Sequence, residues 1–129
     1  MRITELLEKN AALYGGDAAL VEVNPALRGD EGKRWQEYNL IEQGNDPRYR
    51  RELTWAEFDA RANRIANFLI CRGVKKGDKV ALLLMNCLEW LPVYFGILKA
   101  GALAVPMNYR YTAAEIKYCL DLSDSSMLL

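Results

Sequence analysis

LKAGALAVPMNYRYTAAEI, Leu98 to Ile116, holds a helix end, a strand and a helix start in one short span. Gly101 supplies the left-handed residue that stops a helix, and Lys99 sits where a cation meets the negative helix end. Ala102 to Met107 is apolar enough for a buried strand. After Pro106, Thr112-Ala-Ala-Glu115 restarts a helix, because threonine accepts from the third helical amide while glutamate reaches back to the cap amide. A helix, strand and helix this close together predict a turn of a wound α/β unit.

The same device recurs upstream. Thr54-Trp-Ala-Glu57 and Asn86-Cys-Leu-Glu89 read as two further capped helix starts. Trp55, Phe58, Ala62, Ile65, Ala66 and Leu69 recur at spacings of three and four, giving one buried helix face that ends at Gly73. Lys79 to Met85 (KVALLLM) is almost continuously apolar, as in a parallel strand covered on both faces. A helix from Cys87 to Ala100 follows, with Pro92 predicting a kink or a late, irregular start. Beyond Thr112, Ile116, Cys119 and Leu120 are expected to face inward, and Met127 to Leu129 begins another strand.

Before these elements, Thr4 is expected to cap a helix reaching Tyr14, and Ala18 to Val23 reads as a strand. Asn24 to Arg51 is polar, with two prolines, and is expected to be an exposed excursion with a short helical piece at Trp35 to Gln43. The order strand, helix, strand, helix implies right-handed crossovers and a wound, mainly parallel sheet flanked by helices. No internal repeat is evident.

Composition narrows the function. Lys plus Arg and Asp plus Glu are 17 each among 129 residues, so nucleic acid is not the expected partner. There is no histidine, which removes the commonest general base and most zinc sites. Cys71, Cys87 and Cys119 show no C-x-x-C spacing and are expected to be reduced and mostly buried in a cytoplasmic protein. Trp90 to Leu98 is too short to span a bilayer, so the chain is expected not to be transmembrane.

Phosphate loops fail on inspection. Gly96 and Gly101 have a P-loop's glycine spacing, but Ala102 and Leu103 stand where Lys and Ser or Thr are needed, and no G-x-G-x-x-G exists. Ligands of wound sheets collect at strand carboxyl ends, here Met85-Asn86 and Met107-Asn108-Tyr109-Arg110-Tyr111. Arg110 is the candidate ligand contact, able to hold a carboxylate or phosphate. Against it stands a plainer reading in which Asn86 caps a helix, Asn108 makes a turn and the loop edge simply packs. Glu57, Glu89 and Glu115 are expected to be caps, Asp78 a turn residue, and Arg48 to Arg51 a solvated run. No catalytic, cofactor or metal residue is assigned.

Leu53-Thr-Trp-Ala-Glu-Phe58 and Leu98-Lys-Ala-Gly-Ala-Leu-Ala-Val-Pro-Met-Asn108 resemble the first two core motifs of the adenylate-forming enzymes. That superfamily comprises acyl-CoA synthetases, peptide-synthetase adenylation domains and luciferases. The text between, GVKKGDKVALLLMNCLEW (Gly73 to Trp90), and TAAEIKYCLDLSDSSMLL after it are similar to the family's following elements. Asn108 looks more like acyl-CoA synthetases than amino-acid-activating domains, which tend to carry Asp there.

The resemblance implies that residues 1–129 are the N-terminal subdomain of the family's large domain, with 24–51 inserted. It implies a ligase that joins a carboxylic acid to AMP from ATP with Mg²⁺, then to coenzyme A. The family's phosphate loop, Thr-Glu motif, ribose-binding Asp and C-terminal lysine have no match here, so the chain is expected to be part of a longer enzyme and inactive alone. An adenylation domain loading a carrier protein and a non-catalytic α/β binding module are the alternatives. An unpaired last strand is expected to favour self-association.

Overall fold

The computed structural model describes residues 2–23 and 50–129. The elements run α1 (Ile3–Leu13), β1 (Ala18–Val23), β2 (Arg50–Thr54), α2 (Trp55–Cys71), β3 (Lys79–Leu82), α3 (Trp90–Lys99), β4 (Leu103–Pro106), α4 (Ala113–Ser123) and β5 (Met127–Leu128). The expected parallel sheet is present, with strand order β4-β3-β5 and both pairings parallel. β1 and β2 form a separate antiparallel pair.

β2 corrects the reading of 24–51 as one excursion, since Arg50 and Arg51 are strand residues paired with Val23 and Glu22. Arg-Arg-Glu is a poor strand signal because half its side chains face water; pairing with β1 holds it. The remainder of that excursion, with the proposed helical piece at Trp35 to Gln43, lies outside the described residues.

Two of the three predicted capping boxes form. Thr54 Oγ1 accepts from Glu57 N at 3.2 Å while Glu57 Oε2 accepts from Thr54 N at 2.9 Å. Thr112 and Glu115 repeat this at 3.4 and 2.7 Å. The backbone bonds pull the Glu57 and Glu115 carboxyls below their ordinary range. The third box does not form: Asn86 to Glu89 is a turn, and α3 begins at Trp90. Pro92 explains the late start, because there it occupies the first turn, where a missing amide proton costs no helical bond. α1 likewise starts before Thr4, with Arg2 as the cap residue and its amide held by Glu5 Oε2 at 2.9 Å.

β3 is the hub. Val80, Ala81 and Leu82 are wholly buried. Val80 and Leu82 pack with Leu69, Val74, Ile97 and Ala102, so one sheet face is sealed by α2 and α3. A second cluster joins α1 to α2 through Leu7, Phe58 and Ala62 and takes in Leu20, Leu91 and Phe95. α4 has no fully buried residue; Ile116, Cys119 and Leu120 are half-buried rather than inside, and Tyr118 and Leu122 are exposed. The cysteines also depart from expectation, Cys71 being exposed and Cys87 and Cys119 half-buried, all as free thiols. Among the described residues no helix is long and apolar enough to cross a membrane.

α2 and α3 meet at a glycine. A Cβ on Gly96 would lie 2.5 Å from both Cβ and Cγ2 of Ile65 and 3.0 Å from the Ala62 carbonyl. Beside this contact Phe58 and Phe95 pack edge to face, 5.3 Å between centroids. At the C-terminal end of α3, Lys99 Nζ reaches Asp59 Oδ1 at 2.8 Å, Glu8 Oε1 at 2.9 Å and Asn63 Oδ1 at 2.8 Å. Asp59 Oδ1 is buried and accepts no well-aligned hydrogen bond, so the ion pair is its compensation. Burial pulls the Lys99 ammonium downward, but hydrogen bonds and charge from Asp59 and Glu8 outweigh it and the net shift is upward.

Gly96→Ala is expected to destabilise the fold by about 1–3 kcal/mol, although alanine is ordinarily the better helix former, because α2 and α3 must separate. Denaturant midpoints measure this, and an unchanged midpoint refutes the tight crossing. A lysine raised in the folded state adds stability that is fully present below its unfolded value of about 10.4 and is lost as pH rises through the folded one. Unfolding free energy should therefore fall above about pH 10.4, and fall less in Lys99→Met.

Candidate functional site

β3 leads through α3 to β4 on one side, and β4 leads through α4 back across β3 to β5 on the other. Right-handed crossovers in opposite directions put α3 and α4 on opposite faces of the sheet. The connections from β3 and β4 therefore leave toward opposite faces, the topology at which wound sheets bind ligands. That rule puts the candidate site at the end flanked by the turn after β3, reaching Glu89, and the turn after β4, Met107 to Tyr111.

The β4 turn is ordered from within. Met107 N donates to Leu82 O at 2.9 Å, Tyr111 N to Asn108 O at 3.0 Å, and Arg110 N to Asn108 Oδ1 at 3.0 Å. Asn108 is thus a turn-maker, as its plainer reading held. Arg110 Nε donates to the Tyr109 hydroxyl at 3.1 Å and its guanidinium lies 5.5 Å from the centre of that ring. Tyr109, Arg110 and Tyr111 are all exposed, so one cation and two phenols share this surface turn.

The β3 turn is held from outside. Glu22 Oε2, on β1, accepts from Leu88 N at 2.7 Å, and Glu22 Oε1 accepts from Arg51 Nε at 3.0 Å and Nη2 at 2.6 Å. Glu89, expected to cap, instead has Oε1 3.7 Å from both Arg51 Nη1 and Arg61 Nη1. Between β1 and this turn runs a groove of about 360 Å³, lined by Leu20 to Val23 on one side and by Asn86 to Leu88, Trp90 and Leu91 on the other. Asn86 therefore belongs to this groove wall rather than to a helix cap. Sequence reasoning missed Glu22; its one signal is a glutamate inside the apolar strand AALVEV.

Neither turn carries the parts of a polyphosphate clamp. Among the described residues no three His, Cys, Asp or Glu side chains converge to hold a metal ion. The Glu57 and Glu115 carboxylates are engaged by cap amides, and Asp78 Oδ2 accepts from Lys75 N at 2.8 Å. What the candidate site can do is orient an anion or a ring through Arg110 and its tyrosines.

Comparison with known proteins matches residues 10–129 to the family described as AMP-binding enzyme. A medium/long-chain-fatty-acid–CoA/3-oxocholest-4-en-26-oate–CoA ligase of Mycobacterium marinum is 45% identical over 78 residues, 60% of this chain and 14% of that protein. The long-chain-fatty-acid–CoA ligase FadD13 of Mycobacterium tuberculosis is 38% identical over 102 residues, 79% of this chain and 19% of that protein. The matched part thus spans less than a fifth of either relative's length. The crystal structure of the N-terminal domain of FACL13 from Mycobacterium tuberculosis, with inhibitor bound, superimposes with TM-score 0.72 at 30% identity, covering 98% of this chain and 26% of that one.

The thiols give a check on the groove. Burial pushes the Cys87 thiol above its ordinary value, whereas Cys71 is exposed on α2. Timed labelling with an aromatic disulfide near pH 8, read by mass spectrometry, should modify Cys71 first and Cys87 at least about threefold more slowly.

Proposed function

The chain belongs to the AMP-binding enzyme family, and from that premise we propose that it forms the N-terminal subdomain of the large domain of an ATP-dependent acid–CoA ligase. In this reading the whole enzyme joins a carboxylate to the α-phosphate of ATP, expelling pyrophosphate. The coenzyme A thiol then displaces AMP to give the thioester. The observation that supports it best is the superposition on the N-terminal domain of FACL13 over nearly the whole chain, alongside relatives named as CoA ligases.

Mg²⁺, ATP and coenzyme A are assigned to parts of the enzyme outside this chain, so no chemical step is routed through its side chains. The chain's own task is mechanical. It buries a parallel strand, β3, beneath two helices and presents the β3 and β4 turns at a fixed separation. Arg110 is proposed to contact an anionic group at that end. Three free thiols support a cytoplasmic setting, and the outer edge of β5 supports self-association.

Exchange of segments with FadD13 tests the reading. A FadD13 whose matching segment is replaced by this chain is expected to retain fatty-acid-dependent acyl-CoA formation; a folded but inactive chimera overturns it. Arg110→Ala in the active chimera should raise KM for one substrate by about tenfold, the worth of a charge-assisted hydrogen bond. Unchanged kinetics would remove Arg110 from the site.

A further inference from the structure

We propose that Glu22 is the positioning residue for the turn on the β3 side of the candidate site, an inference that rests on reading the β3 and β4 carboxyl ends as the ligand-facing side. β3 itself ends at Leu82, and among the described residues the pairing past it is Leu83 N donating to Leu129 O at 2.8 Å. The turn from Asn86 to Glu89 is therefore not placed by strand pairing. α3, which starts at Trp90 without a side-chain cap, holds only the last residue of the turn, Val93 N donating to Glu89 O at 3.0 Å, and leaves the Leu88 amide to another acceptor.

The amide at stake belongs to Leu88, itself only 6% exposed. A buried amide needs an acceptor. Glu22 supplies one from a strand 66 residues earlier, at 2.7 Å. The Glu22 side chain is 19% exposed, and its other oxygen is held by two nitrogens of Arg51, so the acceptor is aimed rather than free to rotate. Arg51 also lies 3.7 Å from Glu89, and Arg61 does the same from α2, so the far end of the turn is drawn to the same guanidinium. One carboxylate and one guanidinium thus tie the β1–β2 ribbon to Leu88 and Glu89 together. A charge-assisted bond of this kind is stronger than a neutral one, and it does across the fold what an Asn86 cap would do locally.

Amide hydrogen exchange on the full chain, read by NMR, tests the proposal. In Glu22→Ala the protection of Leu88 N–H should fall by at least about tenfold while Val80 and Leu82, at the centre of the sheet, change by less than about twofold. Glu22→Gln keeps an acceptor at the same length and should restore Leu88 to within about threefold of the unsubstituted chain. Equal losses at Leu88, Val80 and Leu82 would reduce Glu22 to general stability, and no loss at Leu88 would refute the bond; either overturns the proposal. Should the alanine variant not fold, the Leu88 proton resonance of the unsubstituted chain decides: a downfield position supports the short bond, a random-coil position overturns it. An inactive FadD13 chimera with the Leu88 result intact would remove the ligand reading alone, whereas an active chimera with Leu88 unaffected would remove the positioning role alone.

Discussion

The absence of a side chain at Gly96 is the constraint on which the described fold turns. With Ile65 in van der Waals reach of the Gly96 backbone, α2 and α3 approach more closely than any side chain there would permit. That approach brings Phe58 to Phe95 and lets Ile97 and Leu69 seal one face of β3. It also carries Lys99 to within 3 Å of partners on α1 and α2. Widening the crossing would open both apolar clusters at once, because α2 contributes to each.

Around this apolar centre, charged groups do a different job. Burial of Val80, Leu82, Leu69 and Ile97 removes apolar surface from water, the larger and non-directional term. The partly buried pairs, Lys99 with Asp59 and Arg51 with Glu22, repay their own desolvation with little surplus. Their geometry is what distinguishes them: Lys99 also reaches Glu8 across 91 residues, and the Glu22 that Arg51 holds accepts from Leu88 N across 66. Hydrophobic contact tolerates sliding, whereas an ion pair at 2.6–2.9 Å does not.

This division suits a piece of an adenylate-forming large domain. The family's motif residues present here are structural: Thr54 and Glu57 start α2, Gly101 closes α3, and Val105 and Pro106 belong to β4, after which Thr112 and Glu115 start α4. Their demands are backbone demands, such as a positive φ of 78° at Gly101 or two orphan amides at each cap.

The sequence by itself determined whatever is settled within a few residues: two capping boxes, the glycine stop at Gly101, a disturbance of α3 at Pro92 readable as either a kink or a late start, and the alternation that makes a parallel sheet. These rest on hydrogen bonds and sterics spanning three or four positions, so they are legible in a short window. The candidate crevice was half legible, because Asn108 and Arg110 follow directly from the end of β4. The tertiary structure alone decided the rest. It made β2 from residues with weak strand preference, drew Glu89 to arginines and put Glu22 under the Leu88 amide. In each case the deciding partner lies tens of residues away, and a polar group takes the hydrogen bond that the assembled fold leaves within reach.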